Sequence, residues 1–128
     1  MTGPDRRAPF GRDQRLLRQN DFSQIFRHPH PVRVSAPGIL LLAIRSAEPH
    51  PRLGLVVAKK VLRRAVWRNR VKRIARESFR LKGARLPAMD VVMIAKAPIA
   101  TLSNQQLREH LDRLWAQASR RLHASASA

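Results

Sequence analysis

Residues 59–80, KKVLRRAVWRNRVKRIARESFR, restrict this chain more than any other stretch. Between Lys59 and Arg85 stand twelve Lys or Arg and a single acid, Glu77. Apolar residues recur among them at intervals of three and four, the spacing of a helix with one buried face. On a wheel of about 100° per residue, Trp67, Val71, Ile74, Ser78 and Leu81 share one side, with Ala75 at its edge. Opposite them lie Arg68, Lys72, Arg76 and Arg80, with Asn69 and Arg73 beside them. Arg70 falls at the border, where it can reach a neighbouring loop. The cationic strip is about 18 Å long at ~1.5 Å per residue. Like charges at i, i+4 cost roughly 0.2–0.5 kcal/mol per pair in an isolated helix. Such a helix needs a core to dock its apolar side and an anion to meet the other.

The remaining sequence can build that core. With 128 residues and 44% hydrophobic composition, the chain is sized for one domain that buries roughly two-thirds of its unfolded surface. The pattern predicts a disordered basic arm without apolar periodicity over 1–12, a folded domain over 13–122 and a disordered tail over 123–128. A short helix follows Asn20, read as its N-cap, with Phe22, Ile25 and Phe26 at i, i+3, i+4 until Pro29 ends it. HPHPVRVSAPG reads as loop or irregular edge, because its prolines cannot donate to a ladder. GILLLAIR (38–45) and RLGLVVAKK (52–60) read as strands; in the second, Leu53, Leu55 and Val57 face one way and Gly54, Val56 and Ala58 the other. Gly83 supplies a stop after the basic helix, and MDVVMIAKAP (89–98) is a strand apolar enough to lie centrally. The last helix opens on a capping box, Ser103 with Gln106, and a staple, Leu102 with Leu107. Leu107, Leu111, Leu114, Trp115, Ala118 and Leu122 form its buried stripe. One sheet packed by helices, an α+β sandwich, is the economical architecture.

Charge selects the partner class. The net charge is +18, which speaks to partners rather than to fold. Nucleic acid leads, because each phosphate contact releases counterions. A solvated helix face would mix signs to gain i, i+4 pairs. A membrane-surface helix would need bulky apolar residues free of core duty, and strands on either side claim Trp67, Val71 and Ile74 for the core. Composition leaves DNA and RNA undecided.

Catalytic chemistry has little to stand on. There is no cysteine, so disulfides, thiolate zinc sites and thiol nucleophiles are absent. The eight acids, Asp5, Asp13, Asp21, Glu48, Glu77, Asp90, Glu109 and Asp112, are scattered without ligand spacing. Asp90 reads as a turn cap and Glu109 and Asp112 as solvated. His28-Pro29-His30 lacks a nearby third ligand and reads as surface. No protein catalytic residue and no metal site is expected. No apolar run reaches the roughly 18 residues of a membrane span, and the expected location is cytoplasmic.

The string Ala65-Val66-x-Arg68-Asn69-Arg70-x-Lys72-Arg73-x-x-Arg76-Glu77, after a strand ending Ala58-Lys59-Lys60, resembles the RNR signature of the bacterial ribonuclease P protein family. NDFSQIF (20–26), RLGLVVAKKV and MDVVMIAKAP with its capped helix resemble further segments of that family in the same order, over roughly residues 15–118. The resemblance implies an α-β-β-β-α-β-α sandwich, one strand more than the pattern gives, with an unusual left-handed crossover carrying the basic helix. It implies that Arg68, Asn69, Arg70, Lys72, Arg73 and Arg76, joined by Lys59 and Lys60, contact a catalytic RNA. Phe22 and Phe26, with the exposed sheet face, would line a cleft for the single-stranded 5′ leader of precursor tRNA; core packing is the competing reading of both rings. Phosphodiester hydrolysis would belong to the RNA, with Mg²⁺ held mainly by RNA and none tightly by the protein. The partners implied are the catalytic RNA and precursor tRNA, with no membrane and no obligate protein partner. A ribosome-associated or other structural RNA-binding protein is the alternative. Two departures stand out: Leu62-Arg63-Arg64 replaces a Gly-Asn type turn, and GILLLAI carries only aliphatics where relatives often place an aromatic.

Overall fold

Among the described residues, the order of apolar and punctuating residues is realised as three α-helices around one four-stranded sheet. The computed structural model describes residues 17–46, 48–82 and 86–127; the arm of residues 1–12 and the Gly83 stop lie outside them. Helix α1 (Gln19–Arg27) leads into strands β1 (Val32–Ala36), β2 (Ile39–Arg45) and β3 (Arg52–Val56). The basic helix α2 (Ala65–Lys82), strand β4 (Met89–Ala95), a 3₁₀ turn (Ala97–Thr101) and helix α3 (Asn104–Ser127) complete the chain. The sheet order is β1-β2-β4-β3. β1–β2 and β2–β4 pair antiparallel, whereas β3–β4 are parallel, with α2 as their connection. β4 is central, as its unbroken apolar run demands.

The extra strand implied by the family likeness is β1. It is an edge strand, so the prolines flanking it leave no ladder donor missing on the paired side. Ala36 pairs with Ile39 across a two-residue turn. Gly38 takes φ +83°, the left-handed conformation that Pro-Gly supplies at a type II turn. A Cβ there would stand 2.6 Å from the Ile99 backbone nitrogen, so the position excludes a side chain twice over.

One sheet face is closed. Leu41, Ala43, Leu53, Val91 and Met93 meet Val71, Ile74, Ala75 and Phe79 of α2 and the whole stripe of α3 predicted from spacing, all buried. The α2–α3 seam carries a polar relay. Trp115 Nε1 donates to Ser78 Oγ at 2.8 Å, and Ser78 Oγ donates to Asp112 at 2.7 Å. Asp112 is therefore a partner of the core rather than a solvated acid. Phe79 meets Trp115 edge to face at 5.2 Å. The capping box of α3 forms as its spacing predicts, with Gln106 N–H donating to Ser103 Oγ and Ser103 N–H to Gln106 Oε1.

Other expectations are corrected. Asn20 lies inside α1; the N-cap is Arg18, whose backbone N–H donates to Asp21 at 2.8 Å. The strand predicted to Pro98 ends at Ala95, because Pro98 and the 3₁₀ hydrogen bonds interrupt the ladder. The tail expected from 123 continues α3 to Ser127, since Ala and Ser oppose helix only weakly. Trp67 and Leu81, assigned to the core, are 46% and 72% exposed. The buried stripe of α2 is Val71, Ile74, Ala75, Ser78 and Phe79. Phe79 and Ala75 fix its orientation, turning the helix by roughly 50° from the expected wheel, counted at about 100° per residue.

Candidate RNA-binding surfaces

That rotation decides which cations of α2 stand free. Asn69, Arg73 and Arg76 are exposed at the pole opposite the buried stripe, and Lys72 and Arg80 flank them half-buried. Arg68 and Arg70 fall to the two borders, and both reach back into the protein. The entry to α2 is a turn at Lys59-Lys60-Val61, held by the Val61 and Leu62 N–H groups on the Ala58 carbonyl. Leu62 is driven into the core, and the carbonyls left by this sharp approach need donors. Arg68 Nη1 supplies them, donating to Leu62 O at 2.9 Å and Arg63 O at 2.7 Å. On the other border Arg70 Nη1 donates to Asn104 Oδ1 at 3.0 Å; the reach expected toward a loop ends on the first residue of α3. Lys59 and Lys60 are exposed in the entry turn. The strip thus comprises outward cations between two arginines that also brace the scaffold.

The second surface is the other sheet face, and register explains it row by row. Ile44, Asp90 and Arg52 form one row across β2, β4 and β3; Leu42, Val92 and Gly54 form the next; Leu40, Ile94 and Val56 form the third. Helix α1 covers the first two rows. In the first, Arg52 Nε and Nη2 donate to both oxygens of Asp90 at 2.9 and 2.8 Å, and Nη1 and Nη2 donate to Asp21 of α1 at 3.2 Å each. Asp90 is buried, so its role is to orient this fork rather than to cap a turn. Its hydrogen bonds raise the Arg52 pKa above the ordinary guanidinium value, against the opposing effect of burial. In the second row Gly54 leaves room for Phe22: a Cβ there would lie 2.6 Å from the ring's Cζ. Leu17, just before α1, packs beside it and donates its N–H to Leu53 O at 3.1 Å.

The third row is left half-open. Leu40, Val56 and Ile94 are each partly exposed, walled by Phe22, while Phe26, one turn further along α1, is 53% exposed. Both rings of the predicted pair are therefore accessible rather than sealed in the core. Arg33 and Lys96 border Leu40 in a depression of about 340 Å³. Leu40, Val56, Ile94, Arg33 and Lys96 were not singled out from sequence. Strand parity from Gly54 and Val56 marks the β3 residues, but the rest require the register.

Among the described residues, no three His, Asp or Glu side chains are grouped to hold a metal ion. His28 Nδ1 accepts the His30 N–H at 3.1 Å in an exposed turn. No helix among the described residues is long and apolar enough to cross a membrane.

Comparison with known proteins gives a consistent answer. The family model described as Ribonuclease P matches residues 10–119. The ribonuclease P protein component of Escherichia coli O157:H7 is 48% identical over 106 residues, covering 83% of this chain and 87% of the relative. The Staphylococcus aureus RNase P protein superposes with a TM-score of 0.74 at 28% identity, covering 81% of this chain and 94% of that one. The protein from Thermotoga maritima gives 0.70 at 28% identity, covering 80% and 96%. A helix built as a cation strip, an α-β sandwich and these matches converge: the chain belongs to the ribonuclease P protein family, as a protein subunit of that ribonucleoprotein endoribonuclease.

Proposed function

We propose that the two surfaces divide the work of this subunit: α2 with Lys59 and Lys60 grips the catalytic RNA, and the half-open sheet row with Phe22 and Phe26 holds the 5′ leader of precursor tRNA. The observation that carries the reading is a row of aliphatic side chains, Leu40, Ile94 and Val56, left partly exposed beside accessible aromatic rings. A plain structural RNA binder needs no such row. Unpaired bases stack on aromatic rings for roughly 1–3 kcal/mol each and tolerate any sequence, which suits a leader of variable sequence. The cations of α2 meet phosphates, giving affinity that is sequence-independent and salt-sensitive.

Catalysis lies in the RNA, and the protein assists by binding. Mg²⁺ belongs to the RNA in this reading, and the side chains here act by neutralising phosphate, positioning the leader and lowering the concentration of free metal the RNA requires.

Reconstitution tests this. Precursor tRNA with a 5′ extension, a bacterial ribonuclease P RNA and this protein are combined at low Mg²⁺, beside protein-alone and RNA-alone controls. Cleavage at the mature 5′ end that requires both components is the expected result. Protein that binds the RNA without stimulating cleavage would overturn the proposal.

A further inference from the structure

Trp67 belongs neither to the core cluster nor to the cation strip of α2. It continues the buried stripe of α2 one turn before Val71, and it stands 46% exposed beside Val66 at 66%. The guanidinium carbon of Arg64 sits 5.3 Å from its ring centroid, and the Trp67 backbone N–H donates to the Arg64 carbonyl at 3.1 Å. The cation–π contact joins the two side chains where the first turn of the helix fixes their backbones. Its setting is cationic: Lys59, Lys60 and Arg63 are exposed in the preceding turn, and the first turn of α2 holds no acid.

Such a setting selects its occupant. An apolar protein helix would bury these cations without counter-charge, which is costly. A membrane would find only Val66 and Trp67 to insert at this end of α2, because Val71, Ile74 and Ala75, next along the helix, are core. A flat apolar ring with an anionic group on each side fits, and an unpaired nucleobase between two phosphates has that form. We propose that Arg64 and Trp67 form a stacking platform for an unpaired base of the catalytic RNA. The base lies on the indole, the guanidinium extends the stack through its cation–π contact, and Lys59, Lys60 and Arg63 take the adjoining phosphates. The platform rests on the reading of α2 as the face for that RNA, and it adds a contact of a different kind: one that does not depend on salt.

The test uses the full chain, titrated with a transcribed bacterial ribonuclease P RNA and, separately, with 5′-extended precursor tRNA, over a salt series. The only other tryptophan, Trp115, is fully buried, so a change in indole emission reports Trp67. The catalytic RNA is expected to quench it. Trp67→Leu should weaken catalytic-RNA binding roughly tenfold, within the range for one stacked base. Trp67→Phe should retain most of the affinity. Neither should alter the slope of log affinity against log salt, because no phosphate contact is lost. Trp67→Leu binding as tightly as the parent, with the steep slope intact, would overturn the platform while leaving the role of α2 standing. Absence of salt-sensitive binding by the parent would overturn both. A loss confined to precursor tRNA would assign the ring to the leader and overturn the catalytic-RNA site. Because Trp67 lies outside the core, the variants should melt with the parent, and the quenching of the parent protein is a second readout that needs no variant.

Discussion

The two faces of the sheet are made from the same strands, by alternate residues, yet they are finished differently. On one face α2 and α3 close a continuous core containing Trp115, Phe79 and the Leu107–Leu122 stripe. On the other, among the described residues, the nine-residue helix α1 covers two rows and leaves the third half-open. Closing the first face is what makes the domain stable. The open row is apolar surface that a protein selected for stability alone would have covered, which supports the proposed reading of it as the face for the leader. The basic helix shows the same division within one element: its buried side belongs to the closed face, and its other side faces solvent with uncompensated charge.

The comparison can be broken most severely from the closed side. Trp115→Ala removes a fully buried ring and the donor to Ser78 Oγ, and should cost about 3–5 kcal/mol in urea unfolding. A loss below 1 kcal/mol would mean that the α2–α3 seam does not carry the fold. Next comes the link between the two sides. Arg52→Ala leaves Asp90 buried without its partner and should cost about 3 kcal/mol. Hydrogen exchange should then rise first in α1, the element that Asp21 tethers; uniform exchange across all helices would contradict a local tether. The smallest effect on stability sharpens the contrast. Phe26→Ala should change stability by less than about 0.5 kcal/mol, as an exposed position does, while reducing the preference for precursor over mature tRNA. Equal loss on both substrates would place Phe26 in the scaffold.

Much of this was legible in the sequence wherever a period of 2 or 3.6 meets a single partner. The α3 stripe, its capping box, the alternation of β3 and the central place of β4 follow from local pattern, because each of those residues has one face to hide. The α2 wheel failed by a fraction of a turn for a specific reason. Trp67, Leu81 and Phe79 are comparably apolar, and only the extent of the sheet and of α3 determines which of them has something to pack against. The same error placed Arg68 among the cations opposite the apolar side rather than at the border of the buried stripe, where it braces Leu62 and Arg63. Asp90 was misread because its partner Arg52 is distant in sequence and is brought beside it by the parallel register of β3 and β4.

The sequence by itself determined that one helix of this protein carries charge its own fold cannot neutralise, and the RNR string determined the family. Those properties are local: they depend on residue type and spacing, and they survive any arrangement of the other elements. Only the tertiary structure decided which cations face outward and which brace the scaffold, which aromatic rings remain accessible, and that Leu40, Ile94 and Val56 stand in one open row. Accessibility is a property of neighbours, and neighbours are set by strand register and helix rotation, which no single segment encodes.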